Sequence, residues 1–154
     1  MKGSEQVIAK LNYLLADELT AISQYMVHAE MCANWGYAKL ADYVEKRAIQ
    51  EMKHAEMHIA RILFLEGLPI VSNLNKMHIG AGVEAQLQND WNAESGAVTA
   101  YNEAVKLAVG QDDNGSREML ETILKDEEAH IDWIETQLDL IKQMGLQNYL
   151  LSQV

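Results

Sequence analysis

Glu51-Met52-Lys53-His54 and Glu127-Glu128-Ala129-His130 decide the fold, because each stretch sets a glutamate and a histidine three residues apart. A single glutamate precedes each pair at the same interval along the chain, Glu18 before the first and Glu94 before the second. One constant shift in sequence number therefore superimposes one set of three positions on the other. Residues three apart lie on nearly the same side of a helix, so both side chains of a pair can face one ion.

Long helices are predicted around these stretches, because Pro and Phe occur once each while helix-forming residues are plentiful. Breakers divide the 154 residues into four long segments and a short tail. The first helix is predicted to run from Ser4, a candidate N-cap, to Asn34-Trp35-Gly36, and the second from about Tyr37 to Gly67. The third is predicted to begin after residue 82 and to end at Gln111-Asp112-Asp113-Asn114-Gly115. The fourth is predicted to continue from there to Gly145, and a short fifth helix is predicted over 146–151. Residues 68 to about 82 are predicted to form a long connection that lets the third helix run parallel to the second.

Apolar residues recur every three or four positions in each long segment, and the glutamates and histidines of the repeated pattern lie within those series. The predicted fold class is therefore all-α: a four-helix bundle with a long crossover between helices two and three and a short C-terminal fifth helix. The whole chain, 1–154, is expected to be a single domain.

Inward-facing carboxylates require neutralisation, since a buried carboxylate without a partner is costly and four of them would repel one another. Four carboxylates carry −4, which two divalent ions balance, and two neutral imidazoles complete the coordination. Oxygen and imidazole ligands suit iron or manganese and tolerate zinc and cobalt. The pattern thus predicts a dinuclear metal site whose ligands are Glu18, Glu51, His54, Glu94, Glu127 and His130.

Charge and composition exclude several other classes of function. The formal net charge is −11, with 23 acidic and 12 basic residues, which disfavours binding to the phosphates of nucleic acid. Cys32 is the single cysteine, so a disulfide framework and a Cys-x-x-Cys motif are excluded. No apolar run resembles a secretory signal or approaches the ~18 to 20 residues of a membrane span. We therefore expect a cytoplasmic protein without a membrane partner.

The flanking residues resemble those of the bacterioferritin family along the whole chain. The stretches that carry the resemblance are Met1-Lys2-Gly3, Glu18-Leu19-Thr20-Ala21-Ile22-Ser23-Gln24-Tyr25, Glu51-Met52-Lys53-His54-Ala55, Arg61-Ile62-Leu63-Phe64-Leu65-Glu66-Gly67-Leu68-Pro69, Asp126-Glu127-Glu128-Ala129-His130-Ile131-Asp132-Trp133 and Gly145-Leu146-Gln147-Asn148-Tyr149-Leu150. The resemblance implies a ferritin-like bundle assembled, from two-fold dimers, into a shell of 24 subunits that stores iron. It also implies a di-iron ferroxidase centre that oxidises Fe(II) with dioxygen or peroxide, with Glu51 and Glu127 as bridging ligands.

Tyr25 and Met52 are two further candidates near this centre. Tyr25 lies seven residues beyond Glu18 on the same helical face, so its hydroxyl either bonds a metal ligand or is satisfied as an ordinary core tyrosine. Met52 is rotated by about 100° from Glu51 and must face another surface. The resemblance implies that Met52 of each of two subunits binds a b-type haem iron across a two-fold axis. The haem would assist iron release with a ferredoxin-type reductant, and a second ferritin subunit is a candidate partner.

The sequence departs from some family members at Lys46 and Gln50, where those proteins carry a His and an Asp on the cavity-facing side of the second helix. An inner-surface iron site is therefore doubtful, and we hypothesise that iron enters the core through the dinuclear site. His58, one turn beyond His54, is expected to be a hydrogen-bonded histidine rather than a further ligand. A haem-free ferritin, a standalone di-iron or di-manganese peroxidase or catalase, and a non-catalytic helical module remain as alternatives.

Overall fold

A computed structural model describes residues 1–154 and contains five helices and no strand. The helices are α1 (Glu5–Asn34), α2 (Ala38–Phe64), α3 (Val83–Gly110), α4 (Asn114–Met144) and α5 (Leu146–Leu151). The predicted all-α class, the long connection between α2 and α3 and the short C-terminal helix are all confirmed. None of the helices combines the length and apolarity needed to span a bilayer.

The crossover, residues 65–82, runs along α1 and is fastened to it by side chains of α1 that bond the crossover backbone. Asn12 Oδ1 accepts from the Ile70 amide at one end, and His28 Nε2 accepts from the Gly80 amide at the other. The chain therefore returns to the end of the bundle at which α2 begins before α3 starts. As a result α3 runs parallel to α2, as expected for a long connection.

Three apolar clusters form the bundle core, and the two larger ones lie on either side of a polar layer. The larger cluster includes Leu11, Leu15, Ile62, Leu120 and Ile123, and the smaller includes Cys32, Leu40, Leu87, Ile134 and Tyr149. In sequence, the six predicted ligands fall between the members of these two clusters on every long helix. Packing within each apolar cluster thus holds the four helices together on both sides of the polar layer and fixes its position.

Two predicted helix ends differ in detail. Ser4 does precede α1, but its hydroxyl donates to Gln111 Oε1 instead of capping the helix. The fourth helix begins earlier than its glycine suggests, because Asp113 accepts from the Ser116 amide at 2.9 Å and so caps a helix that contains Asn114–Gly115.

Candidate metal centre

All six predicted ligands are buried in the middle of the bundle, none more than 5% exposed. Each long helix contributes to the layer: Glu18 lies on α1, Glu51 and His54 on α2, Glu94 on α3, and Glu127 and His130 on α4. Their inward position follows from their place on each long helix, between members of the two larger apolar clusters.

Four of the six form a compact ligand group. One ligand atom from each of Glu18, Glu51, His54 and Glu127 lies within 4.8 Å of all the others. Within this group Glu18 Oε2, His54 Nδ1 and Glu127 Oε1 have no hydrogen-bond partner. Buried polar atoms are almost always satisfied, so orphaned atoms of this kind that converge on one space suit a cation.

His54 presents one ring nitrogen to this group and the other to a carboxylate outside it. Its Nδ1 lies 3.1 Å from Glu127 Oε1, 3.5 Å from Glu51 Oε2 and 3.6 Å from Glu18 Oε2. Its Nε2 lies 3.0 Å from Asp126 Oδ2, which accepts the Nε2 proton. This carboxylate–imidazole pair orients Nδ1 toward the ligand group, as outer carboxylates do behind metal-bound histidines.

Without an ion, protons and nearby charges neutralise the cluster. Burial raises the pKa of Glu51 and that of Glu127, and the charges of neighbouring glutamates, above all Glu18 for the first and Glu94 for the second, raise them further. Burial lowers the pKa of His54, but the carboxylates of Glu127, Glu18 and Glu51 around its Nδ1 outweigh burial and raise this pKa to about 12. The metal-free centre therefore retains protons that a divalent ion can replace.

Glu94 and His130 lie outside the group of four and bond to each other. His130 Nδ1 donates to Glu94 Oε1 at 2.8 Å, and the Tyr25 hydroxyl donates to the same carboxylate. Burial raises the pKa of Glu94, but its interaction with the Glu127 carboxyl group, the hydrogen bond from His130 and the charge of Arg47 outweigh burial and hold this pKa below its ordinary value. The two halves of the repeated pattern are thus not equivalent in the structure.

Arg47 lies between these halves and was not predicted from the sequence. It is only 4% exposed, and its Nη2 contacts Glu51 and lies 2.7 Å from Glu127 Oε2 and 3.7 Å from Glu94 Oε1. Burial lowers the pKa of Arg47, but the three carboxylates raise it more, so the group stays charged. Its position four residues before Glu51, on the inner stripe of α2, is the signal that could have revealed it.

Two tyrosines make equivalent hydrogen bonds, one to each of the two outer glutamates. The Tyr25 hydroxyl donates to Glu94, and the Tyr101 hydroxyl donates to Glu18. Tyr101 was missed from the sequence, although it is the counterpart of Tyr25 under the shift that relates the two ligand sets. His58 Nε2 lies 2.7 Å from the Tyr101 oxygen, and burial together with the charge of His54 lowers the pKa of His58 to about 3. His58 is therefore a neutral, hydrogen-bonded histidine, as expected.

A cavity of about 400 Å³ connects the crossover with the centre. Its walls include Asn75, Lys76 and His78 of the crossover and reach Glu18 and Glu94 inside the bundle. The cavity offers a route along which a hydrated cation can approach the carboxylates.

Three remaining predicted residues lie on the outside of α2. Met52 is 45% exposed and faces away from the bundle interior, as its rotation from Glu51 requires. Lys46 pairs with Asp42 at 2.7 Å. Gln50 and Lys46 border a surface depression that also exposes one edge of the His54–Asp126 pair.

Comparisons with known proteins agree with this geometry. A family model described as a ferritin-like domain matches residues 8–144. The chain is 42% identical over 151 residues to the bacterioferritin of Rhodobacter capsulatus, covering 98% of this chain and 94% of that protein. It is 41% identical to the bacterioferritin of Streptomyces coelicolor, covering 97% and 90% of the two chains. It is also 41% identical to a bacterial ferritin of Synechocystis sp., covering 100% and 99%.

Proposed function

The chain belongs to the bacterioferritins, within the ferritin-like family, and on this premise we propose that it stores iron. It oxidises Fe(II) to Fe(III) at the buried centre with dioxygen or peroxide and deposits a ferric mineral inside a shell of 24 subunits. In this reaction Fe(II) is the substrate. Each pair of Fe(II) ions gives up two electrons, and with two protons these reduce dioxygen to hydrogen peroxide or peroxide to water.

The observation that carries the proposal is the convergence of unsatisfied ligand atoms in the bundle interior. Glu18 Oε2, His54 Nδ1 and Glu127 Oε1 are buried and unpartnered in one space. A hydrogen-bond network that served only stability would satisfy such atoms, because each orphaned group costs free energy. Carboxylate and imidazole donors of this kind bind Fe(II) and retain the harder Fe(III).

Each residue of the centre has a proposed role. Glu18 and His54 bind one iron ion, and Glu94 and His130 bind the other. Glu51 and Glu127 bridge the two, as the resemblance to the bacterioferritins implies. The hydroxyls of Tyr25 and Tyr101 orient the outer glutamates Glu94 and Glu18.

Iron reaches the centre through the cavity beneath the crossover, whose wall includes Asp17 and the four ligand glutamates. At the position where some relatives carry a His and an Asp, Lys46 supplies a cation and Gln50 a neutral amide, which are poor iron ligands. Iron therefore passes to the mineral core through the dinuclear centre. A Lys46→His, Gln50→Asp double variant that mineralises iron at the natural rate would contradict this route.

A b-type haem is proposed at the outer face of α2, where two subunits meet across a two-fold axis. The Met52 side chain is exposed, and Ile49 one turn before it is also exposed. A symmetric dimer supplies this methionine twice, which is what two identical axial ligands need. The haem supplies a one-electron redox group for iron release, and a ferredoxin-type protein is the proposed electron donor.

Oxidation kinetics test the proposal directly. Anaerobic protein is mixed with Fe(II) and then with air, and the formation of Fe(III) is followed by absorbance. The Glu51→Gln variant should lose the rapid phase, because the bridging carboxylate is neutralised. Glu56→Gln removes the same charge from an exposed site on the same helix and should oxidise iron at the natural rate. Equal rates for Glu51→Gln and the natural chain would contradict the assignment.

A further inference from the structure

We propose that Arg47 is a built-in cation that occupies one half of the dinuclear centre, so that the chain binds divalent ions in two unequal steps. The inference rests on the proposed function, because it concerns the same site. It adds a property that the symmetric ligand pattern does not contain: the first ion finds a ready position, and the second must displace an arginine.

The contacts of the guanidinium place it where a second ion would need its ligands. Arg47 Nη2 contacts Glu51 and donates to Glu127 Oε2 at 2.7 Å, so it forms ion pairs with both of the proposed bridging carboxylates. It also lies 3.7 Å from Glu94 Oε1. A carboxylate oxygen that holds a guanidinium at this distance cannot offer the same lone pair to a metal ion, and two cations in this space repel each other.

The ligand geometry shows the same division. Glu18, Glu51, His54 and Glu127 form a compact group whose open atoms face one space. Glu94 and His130, which would complete a second position, instead bond to each other at 2.8 Å. One half of the centre is therefore assembled for an ion, while the other is closed by Arg47 and by its own hydrogen bond.

The sequence itself builds the two halves differently. Under the constant shift that relates the two ligand sets, the counterpart of Arg47 is Ile123, an apolar core residue. Asp126, which supports His54, has the neutral amide of Gln50 as its counterpart. Both differences favour metal binding in the half of the centre that contains Glu18 and His54. The asymmetry is thus encoded at two pairs of positions and does not arise from one side chain alone.

Metal binding then proceeds by two different exchanges. The first divalent ion enters the space faced by the open atoms of Glu18, Glu51, His54 and Glu127 and does not displace Arg47. The second ion must release Arg47 from two buried carboxylates, and moving a buried charge away from its partners is costly. Arg47 therefore acts as a positioning residue that holds the second position closed until the first is filled or the iron concentration is high.

A Co(II) titration of the assembled natural protein tests the inference without turnover. Binding is measured by calorimetry and by the visible ligand-field absorption of Co(II), both per subunit. We expect one tightly bound ion and a second that binds at least roughly 100-fold more weakly. Two ions bound with one shared affinity would overturn the inference.

The Arg47→Gln variant provides the complementary measurement. It should bind two Co(II) ions whose affinities differ by no more than roughly tenfold, because the competing cation is gone. Arg61→Gln removes an arginine that pairs with Asp113 outside the centre and should keep the unequal steps of the natural chain. An Arg47→Gln variant that also keeps those unequal steps would overturn the inference. If that variant does not assemble, the titration of the natural chain decides.

The two proposals fail in different ways. Unequal Co(II) binding without Fe(II) oxidation would contradict the proposed function and leave the role of Arg47 intact. Rapid Fe(II) oxidation with two equal Co(II) sites would do the reverse. No tight Co(II) binding at all would contradict both.

Discussion

Replacement of Asp126 by asparagine should weaken the first metal-binding step without touching a ligand. Asp126 Oδ2 accepts the Nε2 proton of His54 at 3.0 Å, while Nδ1 of the same ring faces Glu18, Glu51 and Glu127. The carboxylate fixes the orientation of the imidazole ring and makes Nδ1 a more basic ligand that donates electrons more strongly to a metal ion. An asparagine oxygen keeps the shape of the contact and removes its charge.

The expected magnitude follows from the exposure of this carboxylate. Losing an outer partner of a metal-bound histidine typically lowers metal affinity by roughly 10- to 100-fold. The Asp126 side chain is 42% exposed, so water replaces part of the lost interaction and the effect should lie near the lower end. We expect a loss of about tenfold in Co(II) affinity, or about 1.4 kcal/mol.

The assay is a Co(II) competition with a chromophoric chelator at pH 7. Asp132→Asn serves as the control, because it removes the same charge from an exposed position on the same helix and should shift the affinity by less than about twofold. If Asp126→Asn binds the first Co(II) ion as tightly as Asp132→Asn does, the carboxylate does not support His54 and the reasoning is refuted.

Three further predictions concern other parts of the molecule. Met52→Leu should remove the visible absorption of haem and leave Fe(II) oxidation at the natural rate, because the side chain faces away from the centre; haem content equal to that of the natural chain would contradict the assignment. His58 has a pKa of about 3 in the folded chain against an ordinary value of 6.5, so its neutral form contributes stability that is lost as the pH falls from 6.5 toward 3, at up to about 1.4 kcal/mol per pH unit. The thermal midpoint of His58→Gln should therefore drop less between pH 7 and pH 5 than that of the natural chain, and equal drops would refute this. Gly80→Ala should lower the free energy of unfolding by about 1–3 kcal/mol, because its Cβ would collide with the backbone of Ala85 and Gln86; Gly96→Ala, with nothing within 4 Å, is the control in the same denaturation assay and should not be destabilised.

The bundle and its six candidate ligands could be predicted because their signals are repeated. Four apolar series of helical period predict four buried faces, and a glutamate within such a series must face inward. The constant shift between Glu18 and Glu94 adds a second copy of every ligand position. The long crossover could be predicted from Pro69, Gly80 and Gly82, because proline and glycine disfavour helix in the segment between α2 and α3.

Arg47 escaped prediction because arginine on an amphipathic helix usually extends its charge to solvent. Only the structure shows that three acidic partners compensate its burial. Asp126 escaped for a different reason, since it is one of many acids on the solvent side of α4. Tyr101 is the exception, because applying the same shift to Tyr25 would have found it. The repeat itself could be recognised from the sequence. The contacts of Arg47 and Asp126, which depart from the repeat, could be seen only in the structure.

The central claim is that the chain oxidises iron at its buried centre and stores the product inside a shell. The most direct measurement is aerobic loading with excess Fe(II), followed by sizing chromatography with iron and protein determined in each fraction. We expect a very large particle that carries far more iron than its dinuclear centres can bind. A small particle, or a large one whose iron never exceeds the capacity of those centres, would contradict it.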